Sequence, residues 1–106
     1  MNFVKHCANL TLFIEQTDLQ SHNDMKKLDI VSGLIRMVND IIRKYYAHNE
    51  ENINMVERML RYIQVRFIDD GIHGFNQQKI KLYKSINVIV RCLKLDFQNK
   101  SNWDIS

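Results

Sequence analysis

Ile53-Asn54-Met55-Val56-Glu57-Arg58-Met59-Leu60-Arg61-Tyr62-Ile63-Gln64-Val65-Arg66-Phe67 is the stretch that decides the fold. Ile53, Val56, Leu60, Ile63 and Phe67 recur at alternating intervals of three and four residues. That spacing places side chains along one side of an α-helix, so the segment reads as a helix with a core-facing seam from about residue 49 or 52 to 68. Met55, Met59 and Tyr62 widen the seam. Asp69-Asp70-Gly71 then stops the helix, with Gly71 suited to the left-handed position that commonly follows a helix end.

Three more segments carry the same period. Upstream, a long helix is expected from residue 21 or 24 to 47. It has two adjacent apolar stripes, Ile30/Leu34/Met37/Ile41 and Val31/Ile35/Val38/Ile42. A face that wide touches more than one neighbour. Gly33 inside it costs about 1 kcal/mol of helix propensity relative to alanine, and its missing side chain suggests a close helix crossing. Before it, Phe3, Cys7, Leu10 and Ile14 mark a first helix over about 2–16, ended at Thr17-Asp18. Downstream, Leu82, Ile86, Ile89 and Leu93 mark a fourth helix over about 77–97, with Lys81, Lys84, Arg91 and Lys94 on its outer face.

Composition agrees with helices. The 106 residues contain no proline and only three glycines, too few turn formers for a many-stranded sandwich or barrel. At 45% hydrophobic and 25% charged the chain has the balance of one globular domain. Short links between long helices predict an all-α fold, an antiparallel up-down four-helix bundle over residues 1–98, with a polar C-terminal tail over 99–106 that includes Trp103. The alternative is a three-helix arrangement with a loose first segment.

Apolar runs are too short to span a membrane, and residues 1–7 lack the basic-then-apolar profile of a secretory signal. Two distant cysteines, Cys7 and Cys92, are no disulfide framework, so a cytoplasmic location is expected. Charge is divided unevenly. Residues 1–57 carry six basic and eight acidic side chains, and residues 58–100 carry nine basic and three acidic. The basic half suits a polyanion or an acidic protein face, or is simply a solvated helix surface.

Catalytic chemistry finds little support. His6, His22, His48 and His73 fall in separate segments without paired-ligand spacing, so no metal or cofactor is expected. There is no glycine-rich phosphate loop and no nucleophile elbow. Arg43 and His48, five residues apart at a helix end, resemble the RNase motif of HEPN helical domains. That resemblance implies a guanidinium clamp and an imidazole acid or base. Against it, Lys44 stands where asparagine often follows the arginine, and the two residues are about 140° apart on a helix. The tyrosines fall mostly on core or boundary positions, which leaves nucleic-acid binding through residues 58–100 weakly supported.

What the chain does have is apolar surface in excess. Met37, Ile41 and Tyr45 on the second helix and Met59, Tyr62, Ile63 and Phe67 on the third suit an adaptable groove for an amphipathic segment of another protein, or else the bundle core.

Leu12-Phe13-Ile14-Glu15-Gln16-Thr17-Asp18-Leu19 resembles the end of the first long helix in the flagellin-specific export chaperone family, FliS, which reads "LF-L-EQ-G-D-V". Lys27–Leu34 is similar to the family's "KA-x-x-II-x-x-L", reached with a gap of a few residues. Met59–Ile63 is similar to "LYDYM", Val65-Arg66-Phe67 to "RRL", and Leu93–Phe97 to the closing "LR-x-x-W". The likeness runs from about Leu10 to Phe97. Departures are the missing "SP-x-x-L" helix start, Glu50–Asn54 in place of "GGEIA", and a basic rather than acidic balance. The resemblance implies a cytoplasmic, non-enzymatic chaperone. It would bind the disordered C-terminal part of flagellin, keep it monomeric and deliver it for export, with Met59, Tyr62, Ile63 and Phe67 on the third-helix motif. The expected function is therefore a protein-binding bundle of this kind. A HEPN-type RNA-cleaving domain or its partner, and a small helical inhibitor or immunity protein, stand as alternatives.

Overall fold

A computed structural model describes residues 3–45 and 49–105, with side chains described through Gln98. Its helices are α1 (Phe3–Gln16), α2 (Asp24–Tyr45), α3 (Glu50–Tyr62), a π-helical segment (Ile63–Asp69) that continues α3 directly, and α4 (Asn76–Ile105). No strand occurs among the described residues. The all-helical expectation holds. α4 runs through the stretch expected as a polar tail, reaching Ile105 instead of ending near Phe97.

Local chemistry sets the helix ends. Thr17 closes α1 by turning its hydroxyl back to the Phe13 carbonyl at 2.9 Å. Asn23 caps α2, its side-chain oxygen accepting from the Lys26 amide at 2.8 Å, and Asn49 caps α3 in the same way through the Asn52 amide. Each satisfies an amide that the first helical turn leaves without a partner.

The core gathers one stripe from every helix. α1 buries Phe3, Cys7, Leu10 and Ile14; α2 buries Val31, Leu34, Ile35 and Val38; α3 buries Ile53, Val56, Met59 and Leu60. Ile63, Phe67 and Ile68 come from the π segment, and Leu82, Ile86 and Leu93 from α4. α2 packs against every other helix and against the π segment. Its buried stripe falls between the two read from the sequence, leaving Met37 44% exposed. At 52 × 30 × 18 Å the molecule is about two helix diameters thick at its thinnest. Its radius of gyration, 14.8 Å, exceeds the roughly 13 Å typical of this length, in keeping with a fourth helix some 45 Å long.

Among the described residues, one charged side chain lies inside this core. Lys27 is 7% exposed; its ammonium donates to the Gly71 carbonyl at 2.7 Å and pairs with Asp24 at 3.3 Å. Asp24 in turn accepts from the His73 amide at 3.4 Å. The start of α2 is thereby fastened to the turn that follows the π segment. Lys79 adds a bond to the Ile72 carbonyl, and the Tyr83 hydroxyl donates to Asp69.

Two glycine expectations are corrected. Gly71 is not left-handed; the positive φ angles belong to Gly74 at 81° and Phe75 at 54°. What Gly71 supplies is room, because a Cβ there would sit 2.6 Å from the Phe67 carbonyl oxygen. Gly33 permits no close crossing, since nothing lies within 4 Å of where its Cβ would stand. The two sites should therefore respond oppositely to alanine. Gly33→Ala is expected to stabilise by about 1 kcal/mol through helix propensity. Gly71→Ala is expected to destabilise by about 2 kcal/mol through forced backbone movement. Urea unfolding of the two variants checks both signs.

Candidate functional site

The described surface carries several open clefts, and α3 borders the two with the clearest chemistry. On one side, Met55, Met59 and Tyr62 face Val4, Cys7, Ala8 and Leu12 of α1 across a trough of about 460 Å³. Its floor is core: Cys7 and Met59 are 2% and 4% exposed. Its walls are apolar side chains left in solvent, among them Leu12 at 54% and Val4 at 44%. Charge enters only at the rim, as Glu15 and Arg58. On the other side, Leu60 and Arg61 face Ile86, Val90, Arg91 and Lys94 of α4 across a more polar cleft of about 350 Å³.

Helical geometry makes α3 two-sided. Positions 55, 58, 59 and 62 are neighbours on one face, while 57, 60 and 61 lie on the adjoining one. Tyr62 is held edge-on by Phe67, ring centroids 5.8 Å apart, and the Arg66 guanidinium lies 6.0 Å from its centroid. A tyrosine steadied from two directions forms a firm wall.

The seven residues expected to bind a partner do not form one surface. Met59, Ile63 and Phe67 are core, at 4%, 0% and 7% exposure, because the α3 seam packs inward. Ile41 and Tyr62 are half-buried, while Met37 and Tyr45 are exposed on α2. Tyr45 stacks on His6 of α1 at 3.8 Å between ring centroids and is thereby occupied. Only Met59 and Tyr62 line the apolar trough, which lies between α1 and α3 and not between α2 and α3. Apolar trough residues that were not expected from the sequence to bind a partner include Val4, Ala8 and Leu12. They form an i, i+4, i+8 row beside the Phe3/Cys7/Leu10/Ile14 seam, and surplus apolar residues off a helix's core stripe were the available signal.

Arg43 is exposed at the end of α2, and His48 lies outside the described residues, so the arginine–histidine pair has no described geometry. Among the described residues no three metal-binding side chains converge, and no helix is long and apolar enough to cross a membrane. Cys7 and Cys92 are both free, one buried and one exposed. Comparison with protein-family models, curated proteins and solved structures finds no match.

Two groups, Cys7 in the trough and Tyr83 on α4, hold their protons more firmly than usual. Burial in the trough floor pushes the Cys7 thiol up to about 11, from an ordinary value of 9.0. Burial, helped by the hydrogen bond to Asp69 and its charge, pushes Tyr83 up to about 12. Each is more readily deprotonated in the unfolded chain, so alkali favours unfolding. Their contributions are whole below about pH 9 and fade as pH rises through about 11 for the thiol and about 12 for the phenol. Urea midpoints followed upward from about pH 8 should fall along this course. Cys7→Ala should flatten the earlier part of the decline and Tyr83→Phe the later part.

Proposed function

We propose that this chain is a non-enzymatic, cytoplasmic helical bundle that binds an amphipathic helical segment of another protein in the α1–α3 trough. Its four helices would run up-down-up-down, an arrangement supported by the His6–Tyr45 stack, the Lys27–Gly71 bond and the Glu57–Lys94 pair. The observation that carries the binding function is the trough itself. It is an apolar channel flanked by α1 and α3, floored by the core and left open along walls that hold Val4, Leu12 and Met55. Water against such a surface is costly, and fully burying one leucine-sized side chain returns about 1.5–3 kcal/mol. A helix presenting residues at i, i+3/i+4 and i+7 fits a channel between two helices, and methionine walls adjust to differing side chains.

The specific partner we propose is a flagellin-type export substrate. Leu12 and Glu15 belong to the run that resembles the FliS family, and both line the trough. A client segment disordered in solution would fold on docking, offsetting its ordering entropy by apolar burial. The chain would thus act as an export chaperone that hides a self-associating helix until delivery.

Calorimetric titration with a flagellin C-terminal segment should give binding with a negative heat-capacity change. Leu12→Asp, a change at an exposed position, should weaken it by roughly tenfold or more while helicity is kept. Met37→Asp on α2 should leave affinity unchanged. Absence of binding would remove the export-chaperone role, and a loss confined to Met37→Asp would move the site to α2.

A further inference from the structure

The cleft on the other side of α3 differs in character from the trough. Its floor is apolar, made by Leu60, Ile86 and Val90. Its rim holds the cations Arg61, Arg91 and Lys94 against a single carboxylate, Glu57. Glu57 is committed: it lies 2.7 Å from the Lys94 ammonium, in a geometry that makes an ion pair and not a hydrogen bond. Arg61 and Arg91 enter no ion pair among the described residues, so two guanidiniums face one cleft without a counter-charge.

We propose that this α3–α4 cleft is a second docking site, one that takes an acidic amphipathic peptide segment. Its carboxylates would be gripped by Arg61 and Arg91 while its apolar side chains rest on the cleft floor. Charge decides the occupant. A second copy of the chain offering the same face would bring Arg61, Arg91 and Lys94 against their equivalents, and like charges that close repel. Single-stranded nucleic acid is held by cations together with aromatic platforms for its bases, and no aromatic residue among the described ones lines the cleft. Guanidinium forks above an aliphatic floor match a carboxylate-bearing helix, whose side chains offer bidentate acceptors and alkyl surface together. This site is independent of the trough, because positions 57, 60 and 61 serve one and 55, 58, 59 and 62 the other.

The test is fluorescence anisotropy on the full chain, with a labelled amphipathic helical peptide of glutamate and leucine as probe. It should bind, and weaken with added salt, while a lysine–leucine peptide of the same pattern and a single-stranded RNA should not displace it. Arg61→Ala with Arg91→Ala should reduce affinity by roughly tenfold or more, as lost charge-assisted hydrogen bonds imply. Both side chains are exposed, and circular dichroism verifies that the double variant stays helical. Lys81→Ala with Lys84→Ala removes equal charge from α4 away from this cleft and should change little. Equal losses in the two double variants would reduce the effect to net charge and overturn the site. Displacement by RNA would overturn it in favour of a nucleic-acid surface. If Leu12→Asp abolished probe binding and the arginine variant did not, the peptide would occupy the trough; this proposal would fall and the trough would stand.

Discussion

The buried Lys27 ammonium is the constraint around which the fold is arranged. A charge at 7% exposure is strongly unfavourable unless it is paired and hydrogen-bonded. Here one hydrogen bond and one ion pair do this, and each partner fixes something different. Asp24 is local, one turn back on α2. Gly71 is distant, lying just beyond the π segment. The bond to its carbonyl therefore settles where α3 and its continuation end relative to where α2 begins. Apolar stripes alone permit sliding by a turn, because one leucine is much like another; a buried ammonium with a single acceptor does not. Gly71 serves the same fastening, since any side chain at that position would collide with the Phe67 carbonyl and push the acceptor away.

The π segment explains how α3 can serve two surfaces. In a regular helix Ile63 and Phe67 would share one side, while Ile68 would stand about 140° round from Ile63. The wider turn, closed by the Asp70 amide on the Val65 carbonyl at 3.0 Å, brings all three into the core. With the far end of the α3 rod anchored in this way, its first three turns need only a narrow seam, Ile53, Val56 and Leu60, completed by Met59. The flanks are released: Met55 and Tyr62 toward α1, Glu57 and Arg61 toward α4.

Much of this was legible from residues 53–67 and the seams around them. The helical class, the helix starts (at 24 of the pair 21 or 24, and next to 49 of the pair 49 or 52), and the inward rows Phe3/Cys7/Leu10/Ile14 and Leu82/Ile86/Ile89/Leu93, of which Ile89 is only half-buried, follow from spacing. The site was less legible, for a physical reason. Periodicity marks which residues share a face but not which helix that face meets, so Met59, Ile63 and Phe67 read equally well as a groove or as core. Burial decided for the core. The α2 stripes were read a fraction of a turn off, because two overlapping rows leave the facing direction to the neighbours. The π turn has no signature in residue type, and Lys27 reads as any helix-surface lysine until the fold brings Gly71 to it.

Exposed large apolar residues stand on three helices: Val4, Leu12 and Phe13 on α1, Met25, Met37 and Tyr45 on α2, and Ile80, Val88 and Leu95 on α4. The molecule is thin, and α2 packs against every other helix. A chain of this length encloses too little volume to cover every apolar side chain, so even α2 leaves some in solvent, and the rows on α1 and α4 border the two clefts. Their surroundings then differ by charge alone. Around α1 the apolar row meets few cations and the surface suits a hydrophobic helix; along α4 it runs among Lys81, Lys84, Arg91 and Lys94, where an acidic partner is favoured. The charge division between the two halves of the sequence thus becomes, once folded, a difference between the cleft on one side of α3 and the trough on the other.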